Sequence, residues 1–321
     1  MKKSLIALAV LAASGASFAQ SNATLYGKVD VWFGSVASTG QPTQTRLDDG
    51  GVGGSRWGVK GSEDLGGGLK ANFLLETGFD ATTGAGAGGM NRYSYVGFSG
   101  GFGEVKLGQV GTAYDDINGN GHDVFDSAVG SYVGVWKGYT GTGKNEIYYA
   151  TNDYSGISGA VSYALGEDKT NALSASNVTS MHVKYAGGPL YVGLGYQQEK
   201  SQGSVTPDLK STRVNASYDF GVAKLVGDVG HVSQGDASAN QWTIGGYMPV
   251  SAALTLSAGY SKSTDNAAAG DAVRKGYALG AAYSLSKRTL VYAAYHNDTT
   301  TPKAGSDTTT KITAVGVQHN F

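Results

Sequence analysis

Several short stretches of the chain carry residue types that do chemistry in other settings. Gly97-Phe98-Ser99-Gly100-Gly101 fits the G-x-S-x-G pattern of serine hydrolases. Such a serine becomes a nucleophile on a strand–turn–helix elbow, whereas here the pattern closes one strand and opens another, so no catalytic role is expected. Gly84 to Gly89 spells G-x-G-x-x-G, but no helix pattern follows to present its N-terminus to a pyrophosphate, and it reads as a glycine loop. Gly138 to Lys144 nearly matches a phosphate loop, except that Asn145 stands where Ser or Thr would hold magnesium. Asp116, Asn118, Asn120 and Gly121 begin like a calcium loop, yet Ser127 replaces the bidentate glutamate. The five histidines are scattered and there is no cysteine, so no metal-ligand spacing arises. These patterns imply no catalytic residue, no metal site and no cofactor.

What remains is a set of ionisable residues at every second position. Arg213, Asn215, Ser217 and Asp219 alternate with Val214, Ala216, Tyr218 and Phe220, and His182 and Lys184 alternate with Met181, Val183 and Tyr185. In a strand these sets fall on opposite faces. Arg56, Gly58 and Lys60 likewise oppose Trp57 and Val59. A Lys or Arg facing lipid near the bilayer midplane costs about 2–4 kcal/mol, so the charged faces are expected to surround an aqueous interior. His182 is placed on that interior face, and His319 on the last strand.

The elements that hold these residues are strands throughout. Leu190, Val192, Leu194 and Tyr196, then Leu254, Leu256, Ala258 and Tyr260, then Tyr277, Leu279, Ala281 and Tyr283 each alternate with small or polar neighbours. Short connections such as Gly66-Gly67-Gly68, Gly100-Gly101, Gly187-Gly188-Pro189, Phe220-Gly221 and Ser286-Lys287 take turns with longer polar ones at 37–50, 80–90, 111–143, 166–179, 199–210, 234–240, 264–274 and 298–310. That pattern predicts an all-β, antiparallel, up-and-down transmembrane barrel of about 16 strands, with tight periplasmic turns and longer outer loops. A hydrophobic content of 40% is too low for a helical membrane protein, and a closed barrel also explains how an exported chain without disulfides leaves no strand edge unpaired.

The export itself is read from the first residues. Lys2 and Lys3, the apolar run Leu5 to Ala13 and the small residues around Ser17-Phe18-Ala19 predict a signal peptide over 1–19, cut after Ala19, with the barrel over 20–321. The formal net charge of −1 argues against nucleic acid as a partner.

Particular residues resemble a known family, the trimeric general porins of Gram-negative bacteria in the branch typical of β-proteobacteria. Thr24-Leu25-Tyr26-Gly27 with Asp30 looks like the family's opening strand. Gly54-Ser55-Arg56-Trp57-Gly58 and Gly61-Ser62-Glu63-Asp64-Leu65-Gly66-Gly67-Gly68-Leu69-Lys70-Ala71 are similar to its second hairpin. Arg92, Val96-Gly97-Phe98-Ser99-Gly100 and Phe102-Gly103-Glu104-Val105 resemble its fourth and fifth strands. Leu285-Ser286-Lys287-Arg288-Thr289 and the ending Val315 to Phe321 complete the match.

The resemblance implies a 16-stranded barrel in the outer membrane, a homotrimer surrounded by lipid and lipopolysaccharide, and a terminal Phe321 read by the barrel assembly machinery. It also implies a third outer loop, here 111–143, folded inward to narrow the lumen. A basic wall of Arg56, Arg92, Lys60 and Arg46 is expected to face loop acids at Asp115, Asp116, Asp123 and Asp126. Gln109 and Thr142 stand where the family often has arginine, which thins the positive wall. The implied function is passive diffusion of ions and small hydrophilic solutes, with weak charge selectivity. Two other classes compete with it: an outer-membrane barrel enzyme, which would need a Ser–His–acid set, and a plugged structural or adhesin barrel.

Overall fold

The computed structural model of the protein describes residues 22–86, 88–117, 129–131 and 134–321. The expected signal peptide at 1–19, the loop acids Asp123 and Asp126, and Asn118, Asn120, Gly121 and Ser127 of the calcium-loop pattern lie outside the described residues.

Seventeen strand segments follow one another: β1 (Asn22–Ser38), β2 (Gln44–Asp49), β3 (Arg56–Gly66), β4 (Leu69–Gly78), β5 (Tyr93–Gly100) and β6 (Gly103–Gly111). After a long connection come β7 (Thr142–Ala150), β8 (Ile157–Leu165), β9 (Asn177–Gly187), β10 (Leu190–Lys200) and β11 (Leu209–Asp219). The chain ends with β12 (Lys224–Gln234), β13 (Ala237–Pro249), β14 (Leu254–Asp265), β15 (Val273–Ser284), β16 (Thr289–Thr301) and β17 (Thr308–Asn320). Neighbours pair antiparallel, and β17 returns to pair with β1. β2 and β3 both pair with the same edge of β1, β2 with its second half and β3 with its first. They are two halves of one barrel strand, interrupted at 50–55, so the seventeen segments close a 16-stranded barrel.

The burial pattern is that of a soluble protein turned inside out. Val214 is 40% exposed and Ile147 51%, while their strand neighbours Arg213 and Glu146 are 4% and 1% exposed. The outward residues are aliphatic and aromatic along the strands, including Leu25, Phe33, Val96, Leu107, Val161, Leu194, Ile244, Leu279 and Val315. In lipid this surface is solvated by acyl chains, and the closed ladder leaves no strand N–H or C=O facing hydrocarbon. Tyr218 lies against Phe220 at 4.7 Å near the short-turn end, where the interfacial aromatic girdles of such barrels lie.

Closure of the ring is tied by one carboxylate. Asp30 is fully buried. Its oxygens accept hydrogen bonds from the backbone N–H groups of Gly51 (3.2 Å), Val52 (2.9 Å) and Gly53 (2.9 Å), from the Tyr292 hydroxyl (2.6 Å) and from Gln318 Nε2 (3.0 Å). The break between β2 and β3 therefore curls around an acid on β1, while β16 and β17 hold that acid from the other side. Beside it, Gly27 and Phe321 exchange backbone hydrogen bonds of 3.0 and 3.1 Å.

Two expected loops turn out to be strand. The span 234–240, read as a polar outer loop, is a two-residue turn at 235–236 between β12 and β13, whose ladder runs up to Gln234 opposite Ala237. Gly235 takes a φ of 59°, a conformation glycine adopts without steric cost, and the polar residues around it sit on a hairpin. Most of 37–50 is likewise strand, because β2 pairs with β1 from Gln44 to Asp49. Polar composition marks exposure to water; it does not by itself end a ladder.

Candidate functional site

Three strands bring the site together on one side of the lumen. Arg56 opens β3, Glu76 lies on β4 directly across from Gly58, and Arg92 immediately precedes β5. Alternation turns Arg56 and Glu76 inward. The Glu76 carboxylate, with its side chain 6% exposed, collects three partners: Arg92 Nε at 2.6 Å, the Tyr26 hydroxyl donating at 2.7 Å, and Arg56 Nε at 3.7 Å. Two guanidiniums share one carboxylate, so the cluster carries one net positive charge. Its outer member, Arg92, is held from behind: Gln109 Nε2 donates to the backbone carbonyls of Asn91 and Arg92, both at 3.0 Å. The residue that departs from the family's usual arginine therefore fixes the turn that carries another.

The four expected wall cations do not all gather there. Arg46 is opposite Gly34 on β1, whereas Arg56 is opposite Lys28, six residues and about 20 Å further along the strand. Arg46 instead pairs with Asp48 at 2.7 Å toward the long-loop end. Lys60, opposite Thr24, lies toward the short-turn end, with its ammonium 5.1 Å from the centre of the Tyr26 ring. A fifth inward cation was missed. Lys106 on β6 pairs with Glu104 at 3.0 Å and stands 4.8 Å over the Tyr148 ring and 5.5 Å over Tyr95. The alternation Val105-Lys106-Leu107 carried that signal. Glu76 was also missed, although Asn72, Leu74 and Glu76 share its inward face and a carboxylate amid Leu74 and Leu75 is itself a mark.

The described limbs of the connection between β6 and β7, 112–117 and 134–141, lie against β8 to β15. Ala113 N donates to Ser162 Oγ on β8 (3.1 Å), Tyr114 N to Ser180 Oγ on β9 (3.2 Å), and Ala113 O meets His182 Nδ1 on β9 (2.6 Å). Asn215 on β11 donates to the Ile117 carbonyl. On the returning limb, Thr140 donates through its N–H and its hydroxyl to Glu199 on β10 at 2.7 and 2.6 Å. Lys137 N donates to Gln241 on β13 (2.5 Å), Lys137 Nζ reaches Asp265 on β14 (3.2 Å), and Arg274 Nε on β15 donates to the Val135 carbonyl (3.3 Å). Val129 packs with Trp32, Tyr292, Ala294 and Ala314.

Of the loop acids, Asp115 accepts from the Tyr139 hydroxyl at 2.6 Å, and Asp116 accepts from the Tyr148 hydroxyl and lies 3.9 Å from His182. Both sit at the root of the connection. Ser99 of the hydrolase-like pattern lies in the β5–β6 hairpin and accepts from Asn72 Nδ2 at 2.8 Å. Gly84 to Gly89 lies in the connection between β4 and β5, and β7 begins inside the phosphate-loop pattern. Neither motif is followed by a helix, and no group of metal-ligating side chains occurs among the described residues.

A closed barrel with charges inside and apolar residues outside is matched by a family model. That model, described as Gram-negative porin, covers residues 5–320. The chain belongs to the Gram-negative porin family. Outer membrane porin protein 32 of Delftia acidovorans is 36% identical, with 91% of this chain and 88% of that protein covered. Major outer membrane protein P.IB of Neisseria meningitidis serogroup A is 30% identical, with 100% of both covered. Among solved structures, the anion-selective porin from Comamonas acidovorans matches with a TM-score of 0.83 at 29% identity, covering 94% of this chain and 100% of that one. The porin resides in the outer membrane and is a general diffusion channel, as the sequence resemblance implied.

Proposed function

We propose that the constriction of this porin lies between the Arg56–Glu76–Arg92 cluster and the connection 112–141, and that it gives a weak preference for anions. The observation that carries this is the shared carboxylate. Two guanidiniums against one acid leave a net charge of one on that side, while Asp115 and Asp116 are bonded to tyrosines at the loop root. One unit charge acting on a passing ion at ~10 Å contributes about 0.4 kcal/mol in bulk-like water and about 1.7 kcal/mol at an effective dielectric of 20, a bias of about twofold to somewhat over tenfold. The name of the Comamonas relative as an anion-selective porin agrees in sign. The departures at Gln109 and Thr142 argue for a smaller effect here. A channel of this kind filters by size and charge and needs no cofactor.

The same proposal includes three copies per assembly, in keeping with the trimer form of the similarly folded OmpT of Vibrio cholerae (TM-score 0.69). It includes lipopolysaccharide around the outer loops, recognition of Phe321 during assembly, and removal of 1–19 on export. The test is recording in planar bilayers under a potassium chloride gradient. Large stable steps arriving in threes are expected, and Arg56→Gln with Arg92→Gln moves the reversal potential toward cations. An unmoved reversal potential removes both arginines from the role.

A further inference from the structure

Arg213 lies on the inward face of β11, is 4% exposed and takes no part in the constriction cluster. Its direct neighbours across the sheet are both glycines, Gly195 on β10 and Gly230 on β12. A Cβ at Gly195 would stand 2.7 Å from Ile117 Cδ1 and 3.0 Å from Tyr114 Cδ2, and one at Gly230 would stand 2.8 Å from Trp136 Cζ3. The wall is notched on either side of Arg213, and side chains of the β6–β7 connection fill the notches. The guanidinium carbon lies 4.3 Å from the centre of the Trp136 ring, 5.6 Å from Tyr114 and 5.8 Å from Tyr139. Tyr114 belongs to the limb leaving β6; Trp136 and Tyr139 belong to the limb returning to β7. The Tyr114 and Tyr139 rings meet edge-on at 4.7 Å. Arg213 Nε and Nη1 find no hydrogen-bond acceptor among the described residues, and the polar groups near the guanidinium are the Tyr114 hydroxyl and the buried Asp228 carboxylate on β12. Desolvated cation–π contacts of this kind are strong, and they depend on a planar cation.

We propose that Arg213 is a positioning residue that pins both limbs of the connection to the β10–β12 wall and so sets the bore of the channel. The proposal rests on the reading of 112–141 as the constriction. Arg213 is sealed under the connection, so it acts through the position of that segment, and its charge stays off the ionic path. Releasing it frees the aromatic side chains from their notches and lets the segment move into or away from the lumen.

The test compares Arg213→Gln with Gly230→Ala, which leaves the charge intact and pushes the Trp136 ring out by one methyl. Arg213→Lys, which keeps charge without a planar face, rescues only in part. Each variant is checked for folding by its heat-modifiable migration on gels. Where Arg213→Gln does not fold, Gly230→Ala carries the test. In liposome swelling, both variants move the saccharide size limit away from the native one, and Gly230→Ala lowers it because the added methyl pushes Trp136 off the wall toward the lumen. Single-channel records become noisier, with the displaced state populated on the order of tenfold more often, equivalent to about 1.4 kcal/mol. The reversal potential stays at the native value. A moved reversal potential with an unchanged size limit would make Arg213 a selectivity charge and overturn the pin.

A second probe separates the pin from the reading beneath it. The chain has no cysteine, so Gly138→Cys, at an exposed point of the returning limb, takes a thiol-reactive methanethiosulfonate alone. Labelling lowers the current if the connection borders the pore. No drop in current removes the constriction reading and the pin with it. A drop combined with a native size limit in Arg213→Gln and Gly230→Ala overturns the pin alone.

Discussion

Between β3 and β6 the inward ion pairs keep at least one member in contact with water and none is covered by the β6–β7 connection, whereas between β9 and β15 that connection closes over the acids. On the first wall the Arg92 side chain is 37% exposed and the Glu104 side chain 33%, and each cation is matched with an acid or a ring from its own wall. On the second, Asp265 is 3% exposed and accepts from Arg274 at 2.5 and 3.2 Å while Lys137 of the connection closes on it at 3.2 Å. The two walls share one alternating pattern but differ in what lies above them. Ion pairs exposed to water contribute little to stability and remain available to a passing solute. The same groups under a loop become attachment points, because a buried charge that loses its partner is expensive.

The largest effect that this contrast predicts is on the covered wall. Asp265→Asn leaves Arg274 and Lys137 without their carboxylate and weakens docking of the returning limb by about 2–3 kcal/mol. Trypsin then cuts after Lys137 faster than in the native channel, and an equal rate would break the distinction between the walls. On the open wall, Glu76→Gln removes the acid shared by Arg56 and Arg92 and moves the reversal potential toward anions by about 0.4–1.7 kcal/mol. The solute size limit should hold. A changed size limit without a changed potential would make Glu76 a structural group like Asp265.

The smallest effect concerns the connection 79–92 that leads to Arg92. The Thr82 hydroxyl donates to Asp80 at 2.7 Å, and the Thr82 and Thr83 N–H groups donate at 2.8 and 3.2 Å, which together hold the carboxyl down at about 2. Because this value is depressed, the turn's contribution is complete above the ordinary carboxylate range and fades only as pH falls toward about 2. Proteolysis of this connection at pH 6 should match that at pH 7, and in Asp80→Asn it should be faster at both.

Alternation alone was enough to place Arg213, His182 and Arg56 on the inward face, because one wrong-facing cation in lipid outweighs most local preferences. The pattern of loop acids does not point to Glu76, and only the cross-strand pairing of Gly58 with Glu76 brings it to Arg56. The partners of Asp30 are separated from it by as many as 288 positions, at Gln318, and the glycines that bind it read simply as a loop. The rings around Arg213 come from residues 74 to 99 positions earlier, and only the folded connection assembles them. Spacing rules reach across a few residues, and these contacts span whole segments of the ring.

The paired backbone bonds between Gly27 and Phe321 carry a consequence for the order of events. Every other strand has both of its neighbours once the next hairpin exists, but the second edge of the opening strand waits for the final one. A chain that stops short of β17 leaves one edge of β1 unpaired, so sealing against lipid is withheld until the last strand is present.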